Sequence, residues 1–182
     1  MLTTDYMAGY VLIDVGHGDV QRVVERLLQH PNVHRAHALL GPNDIIAFIE
    51  ADGWGEFITI LDRHVRGLID DRQIRQTETR LVVQSTGVGL KRAAGPTPPA
   101  SAWVFIDVGV GDPEPVIRKL ESIEGVVRAH GVIGPNDIIA YLECHDSEEL
   151  MQVVDDQIRA LPEVTRTDTR LVLMRHGRRP AR

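Results

Sequence analysis

Apolar and polar positions fall in short runs along the chain, and the period of the runs changes. Tyr10 to Val15 ("YVLIDV") is β-branched and apolar and predicts a strand. "GHGD", Gly16 to Asp19, breaks it. The period then lengthens: Val20, Val23, Val24, Leu27 and Leu28 fall on one side of a helix that Asp19 is placed to cap. "HPN" ends that helix. Val33 to Leu40 predicts a second strand, Gly41 to Asp44 a turn, and Ile45 to Glu50 a third strand. Phe57, Ile58, Leu61, Val65 and Leu68 line one side of a helix from Gly55 to about Leu68, and Ile74 to Gln84 reads as the last strand. The order βαββαβ predicts an α+β, ferredoxin-like unit, with a four-stranded antiparallel sheet and both helices on one face.

The strands are apolar on both sides. Val11, Ile13 and Val15 alternate with Tyr10 and Leu12, and Ile45, Ala47 and Ile49 with Ile46 and Phe48. Two helices cover only one face of such a sheet, and an antiparallel sheet with a wet face alternates apolar with polar. The pattern therefore predicts sheets packed face to face, with helices outside.

The whole unit recurs. "HALLGPNDIIAFIE" from His37 matches "HGVIGPNDIIAYLE" from His130, and "YVLIDVGHGD" from Tyr10 matches "WVFIDVGVGD" from Trp103. The offset is 93 (Gly41 to Gly134) and falls to 90 by the last strand (Thr79 to Thr169), so the first copy carries extra residues within "LIDDRQ". In the second copy Pro113 follows Asp112 at the predicted helix start, a position that suits proline. The boundaries drawn are 1–84 for the first unit, 85–101 for a Gly/Pro/Ala-rich linker, 102–176 for the second unit and 177–182 for a basic tail.

Composition narrows the function. In 182 residues, 43% are hydrophobic and 25% charged, and the net charge is −6. That balance argues against broad electrostatic binding to nucleic acid or to an anionic membrane. No apolar run reaches the length of a membrane span, and the first ten residues lack the pattern of a secretory signal. The single cysteine, Cys144, makes no intrachain disulfide, so a cytoplasmic location is expected.

Seven letters, GPNDIIA, stand unchanged in both copies, although a strand requires only apolar alternation. Followed one strand later by Asp52 or Asp146, this stretch resembles the Gly-x-x-Asp signature of the Lrp/AsnC regulators, specifically their effector-binding module, the regulation-of-amino-acid-metabolism domain. The opening strand, the Arg-Ala-His before the turn and the Thr-x-Thr of the last strand fit the same module. The resemblance covers nearly all of each copy. It implies a small-molecule sensor, an amino acid being the expected effector, that assembles as a homo-oligomer. It places effector-binding residues at Gly41, Asn43, Asp44, Thr77 and Thr79, and at Gly134, Asn136, Asp137, Thr167 and Thr169. The usual member opens with a helix-turn-helix domain. Only nine residues precede the first strand here, so direct DNA binding is not expected, and action by co-assembly with a DNA-binding relative or another protein is.

The chemistry of the turn is consistent with that role. Glycine lets a ligand approach the backbone, and Asp44 offers a carboxylate to an α-ammonium group. Thr77 and Thr79 project on one face with their hydroxyls. The alternative is structural: Asn43 and Asp44 close the hairpin by bonding backbone groups.

Other candidates carry less. His37 and His130 are equivalent, but no metal-ligand spacing accompanies them, and no metal or cofactor is expected. "ECHD", Glu143 to Asp146, reads as a loop because its counterpart is "EADG". Cys144 has no neighbouring base and reads as inert. "GHGDV" lacks the lysine of a phosphate loop. Trp54 and Trp103 are not equivalent and lend little to an enzyme reading. The expectation is a non-enzymatic regulatory module. The alternatives are an oligomerisation module with degenerate pockets, or a cofactor-free ferredoxin-like enzyme of the monooxygenase or isomerase type.

Overall fold

The computed structural model describes residues 6–16, 19–70, 74–85 and 100–176. Most of the predicted linker, the basic tail 177–182, part of "GHGD" and part of "LIDDRQ" lie outside the described residues. The chain divides into two compact units, Met1–Leu81 with Leu173–Arg182, and Val82–Val172.

The first unit contains β1 (Met7–Val15), α1 (Val20–Leu27), β2 (Val33–Leu39), β3 (Ile45–Ala51), α2 (Trp54–Thr59), α3 (Gly67–Asp70) and most of β4, which runs Ile74–Gln84. β1 pairs antiparallel with both β3 and β4, and β2 with β3, giving the order β4-β1-β3-β2. The second unit repeats the plan with β5 (Ala100–Val108), α4 (Glu114–Ser122), β6 (Val126–Ile133), β7 (Ile138–Cys144), α5 (Ser147–Gln152) and most of β8, which runs Val164–His176. Its order is β8-β5-β7-β6. This is the α+β, ferredoxin-like arrangement that the periodicity predicts.

Each unit has its own core between sheet and helices. Val11, Ile13, Ala47 and Ile49 meet Val23, Leu27, Phe57 and Val65 in the first. Val104, Ile106, Ala140 and Leu142 meet Ile117, Leu120, Leu150 and Ile158 in the second. Each large side chain so buried contributes roughly 1.5–3 kcal/mol. The other face of each sheet is closed too. Tyr10, Leu12, Ile46 and Phe48 are buried, as are Trp103, Phe105, Ile139 and Tyr141. Aromatic rings meet there, Tyr10 with Phe48 at 4.9 Å and Trp103 with Tyr141 at 4.5 Å between centroids.

Helix starts follow the capping residues. Asp19 accepts from the Gln21 amide at 2.9 Å. Asp146 accepts from the Glu149 amide at 2.8 Å, while the Glu149 carboxylate reaches back to the His145 amide. The Asp112 side chain accepts from the Glu114 amide at 3.0 Å, and Pro113 lies just before the first residue of α4.

The helix expected from Gly55 to Leu68 is not continuous α-helix. α2 passes into a π-helical segment, Ile60–Val65, before α3. The second unit has the same feature at Val153–Ile158, after α5. The apolar residues explain it. In an α-helix His64 would fall under Phe57, two turns on. The wider π turn advances less per residue and brings Val65 into the buried stripe instead. Gln157 and Ile158 stand in the same relation in the second unit. Among the described residues, no helix is long and apolar enough to cross a membrane.

Candidate functional site

The repeated turn is a latch between strands. The Leu39 amide donates to the Asp44 carbonyl at 2.8 Å, closing the β2–β3 hairpin over Leu40 to Asn43. The Asp44 amide donates to the Ile13 carbonyl at 3.0 Å. β3 begins at Ile45, so no β3 backbone carbonyl is in register with the last residue of β1. The Asp44 carboxylate takes that place: its Oδ2 accepts from the Val15 amide at 2.7 Å. Asn43 Nδ2 donates to Asp14 Oδ1 at 2.9 Å. The second unit repeats the set, with Asp137 Oδ2 on the Val108 amide at 2.8 Å and Asn136 Nδ2 on Asp107 Oδ1 at 2.6 Å. Opposite this point lies a β-bulge in both units, between Asp14 and Val15 and between Asp107 and Val108. Bulges interrupt ladders and bend strands, and the side-chain bonds hold the strand end where pairing falters. Gly41 and Gly134 are exposed at the tip of the turn.

The threonines lie on the other side of the same strand. Thr77 and Thr79 pair with Ile13 and Val11, and Thr167 and Thr169 with Ile106 and Val104. Cross-strand partners share a face, so all four threonines stand on the helix side of their sheets. The turn and the Thr-x-Thr therefore occupy the same end of each sheet, with β1 or β5 between them.

In the second unit the Thr-x-Thr meets a helix residue that the sequence reading did not single out. Arg159, directly after the π segment, donates from Nε to Thr167 Oγ1 at 2.8 Å and from Nη1 to Asp155 Oδ1 at 2.6 Å. Thr169 Oγ1 is buried and has no hydrogen-bond partner among the described residues. The equivalent Arg66 pairs with Asp62 at 2.8 Å, and no bond to Thr77 accompanies it. The signal was available: Asp62 with Arg66 and Asp155 with Arg159 recur at the same offset as the turns. A four-residue Asp–Arg spacing is nonetheless common on exposed helix faces.

The buried polar groups form a second set the sequence left unassigned. Arg80 and Arg170 end the two Thr-x-Thr-Arg stretches, and both are buried on the sheet face opposite the helices, with Tyr10 and Trp103 as cross-strand partners. Arg80 pairs with Glu78 at 3.2 Å. Arg170 donates to Asp168 at 2.9 Å, and its Cζ lies 4.3 Å from the centre of the Phe105 ring. His37 and His130 are buried on this same face. Burial, with the Arg128 charge nearby, pushes the His130 imidazole down to about 3.

The remaining candidates stay structural. Asp146 of "ECHD" caps α5. Cys144 is buried, and burial with the surrounding carboxylates Glu149, Asp146 and Glu143 pushes its thiol up to about 11. Among the described residues no group of three or more His, Cys, Asp or Glu is placed to hold a metal ion.

Comparison with known proteins follows the same lines. Residues 101–181 match the family described as Lrp/AsnC ligand binding domain. No curated protein matches the chain. Among solved structures, the siroheme decarboxylase NirDL has a TM-score of 0.68 at 10% identity, covering 94% of this chain and 72% of its own. TTHA0845 from Thermus thermophilus has 29% identity and a TM-score of 0.41, covering 43% of this chain and 99% of its own. AsnC of E. coli has 22% identity and a TM-score of 0.44, covering 52% of this chain and 66% of its own. The likeness to NirDL is one of fold.

Proposed function

We propose, from the match of residues 101–181 to the Lrp/AsnC ligand binding domain family, that the protein is a regulatory module that binds a small molecule. By class that molecule is an amino acid. The family match is the observation that carries the reading. Its span takes in the second GPND turn, the Thr167–Thr169 pair and the helix that leads to them.

The local chemistry supports it. Thr167 and Thr169 present hydroxyls beside a charged pair, and one of those hydroxyls lacks a partner among the described residues. The GPND turns contribute by holding the strand ends, and each aspartate keeps a second carboxylate oxygen beyond the backbone bond it makes. The first unit, with Gly41, Asn43, Asp44, Thr77 and Thr79 in equivalent places, is proposed as a second copy of the domain. The module is non-enzymatic and cytoplasmic. It assembles as a homo-oligomer and acts by co-assembly with a DNA-binding relative or another protein. Ligand binding biases that assembly to the extent that affinity differs between assembly states.

Thermal unfolding of the full chain in the presence of each standard amino acid tests the reading. A ligand at about 100 times its Kd stabilises the fold by about 2.7 kcal/mol, which moves the Tm by several degrees. At least one amino acid should do so. If none does, the reading fails.

A further inference from the structure

We infer that the two units are not equivalent as binding sites: the second takes the ligand, and Arg159 is the residue that selects for a free carboxylate. The inference rests on the proposed function and deepens it.

Three observations in the second unit carry it. Arg159 is tied to the strand, because Nε donates to Thr167 Oγ1 at 2.8 Å. The same guanidinium holds Asp155 at 2.6 Å through Nη1, so a cation and an anion lie side by side next to the Thr-x-Thr. An α-amino acid carries both charges on neighbouring groups, and this pair offers one partner to each. Third, Thr169 Oγ1 is buried and unsatisfied two residues along the same strand face. A buried hydroxyl without a partner is unfavourable and rare, and a ligand carboxylate oxygen would supply the missing acceptor. The π segment contributes by setting the phase of Arg159 relative to β8. Arg159 follows Ile158, the last residue that the π turn brings onto the core.

Among its described residues the first unit does not show the assembled form. Among the described residues, Arg66 pairs with Asp62 and makes no bond to Thr77, and Thr79 is not among the buried hydroxyls left unsatisfied. The extra residues of the first copy fall between this helix and β4, the segment that would have to bring Arg66 and Thr77 together. The match to the ligand binding domain family covers residues 101–181.

Titration calorimetry on the full chain tests this, with the standard amino acids and their α-carboxamides as probes. We expect one ligand per chain. The carboxamide should bind roughly ten-fold or more weakly, since it forfeits a charge-assisted bond. Arg159→Ala should weaken the acid by a similar factor and erase the preference over the amide. Thr169→Val should weaken binding while leaving the unliganded Tm unchanged or raised, which loss of a purely structural hydroxyl bond would not do. Arg66→Ala should bind as the wild type does. Two equal sites per chain, or Arg159→Ala with undiminished affinity and preference, overturns the inference and leaves the amino-acid reading standing. Absence of any binding by the wild type overturns that reading, and the inference with it.

Discussion

At the scale of single residues, the unchanged GPND turn has a physical account in the strand end it secures. Asp44 and Asp137 carry the ladder one bond beyond the first residue of β3 or β7, onto Val15 and Val108. Asp44→Ala removes that acceptor and should cost about 1.5 kcal/mol in denaturant unfolding, whereas Asp44→Asn, which keeps a carbonyl acceptor, should cost much less. Equal losses in the two variants would show that the charge matters and not the bond. The position of the turn was legible in the sequence, but its use was not. A carboxylate that bonds a backbone amide and one that awaits an ammonium group look alike in a string of letters. Arg159 was missed for the opposite reason, since its Asp–Arg spacing is ordinary on any helix. His130 makes a pH prediction. Its folded pKa of about 3 lies below the ordinary 6.5, so between those values the unfolded chain binds the extra proton. Stability is full above pH 6.5 and falls as pH drops toward 3, by up to about 1.4 kcal/mol per pH unit. His130→Gln should flatten that slope in equilibrium unfolding measured across the range. Cys144, buried with its thiol pushed up to about 11, should resist a thiol reagent at pH 8 in the native protein and react once it is unfolded.

At the scale of elements, the strands and α1 were legible because two independent signals agreed. Period and cap together place α1 at Val20–Leu27 behind Asp19. β4 falls at Ile74–Gln84, where its alternation begins and ends. The π segments were not legible. Their apolar spacing is close to that of an α-helix, and only packing decides whether His64 or Val65 turns inward. His64 instead bonds the Leu27 carbonyl at 3.0 Å, off the stripe. The bulges were hidden for a similar reason, since Arg75 and Thr165 are skipped in the pairing without any break in the letters. Caps are the cheapest test of this scale. Asp146→Ala should cost about 1 kcal/mol of stability. The corresponding residue of the first unit, Gly53, makes no side-chain cap bond, so its replacement by alanine tests a different, backbone effect.

At the scale of the whole molecule, the repeat predicted two like units, and the strand orders β4-β1-β3-β2 and β8-β5-β7-β6 are alike. The likeness ends where a ligand would be held. Identity is concentrated in the turn, while the residues around Arg159 differ between copies in their bonding. The second unit is proposed to hold a small zwitterionic molecule at the junction of its π segment and β8. The most direct measurement is amide hydrogen exchange of the full chain, followed by mass spectrometry, with and without the amino acid that most raises the Tm. The account predicts added protection in the segments Val153–Arg159 and Val164–Thr169, with the first unit's corresponding segments unchanged. Added protection confined to the first unit, or none in either, would contradict it.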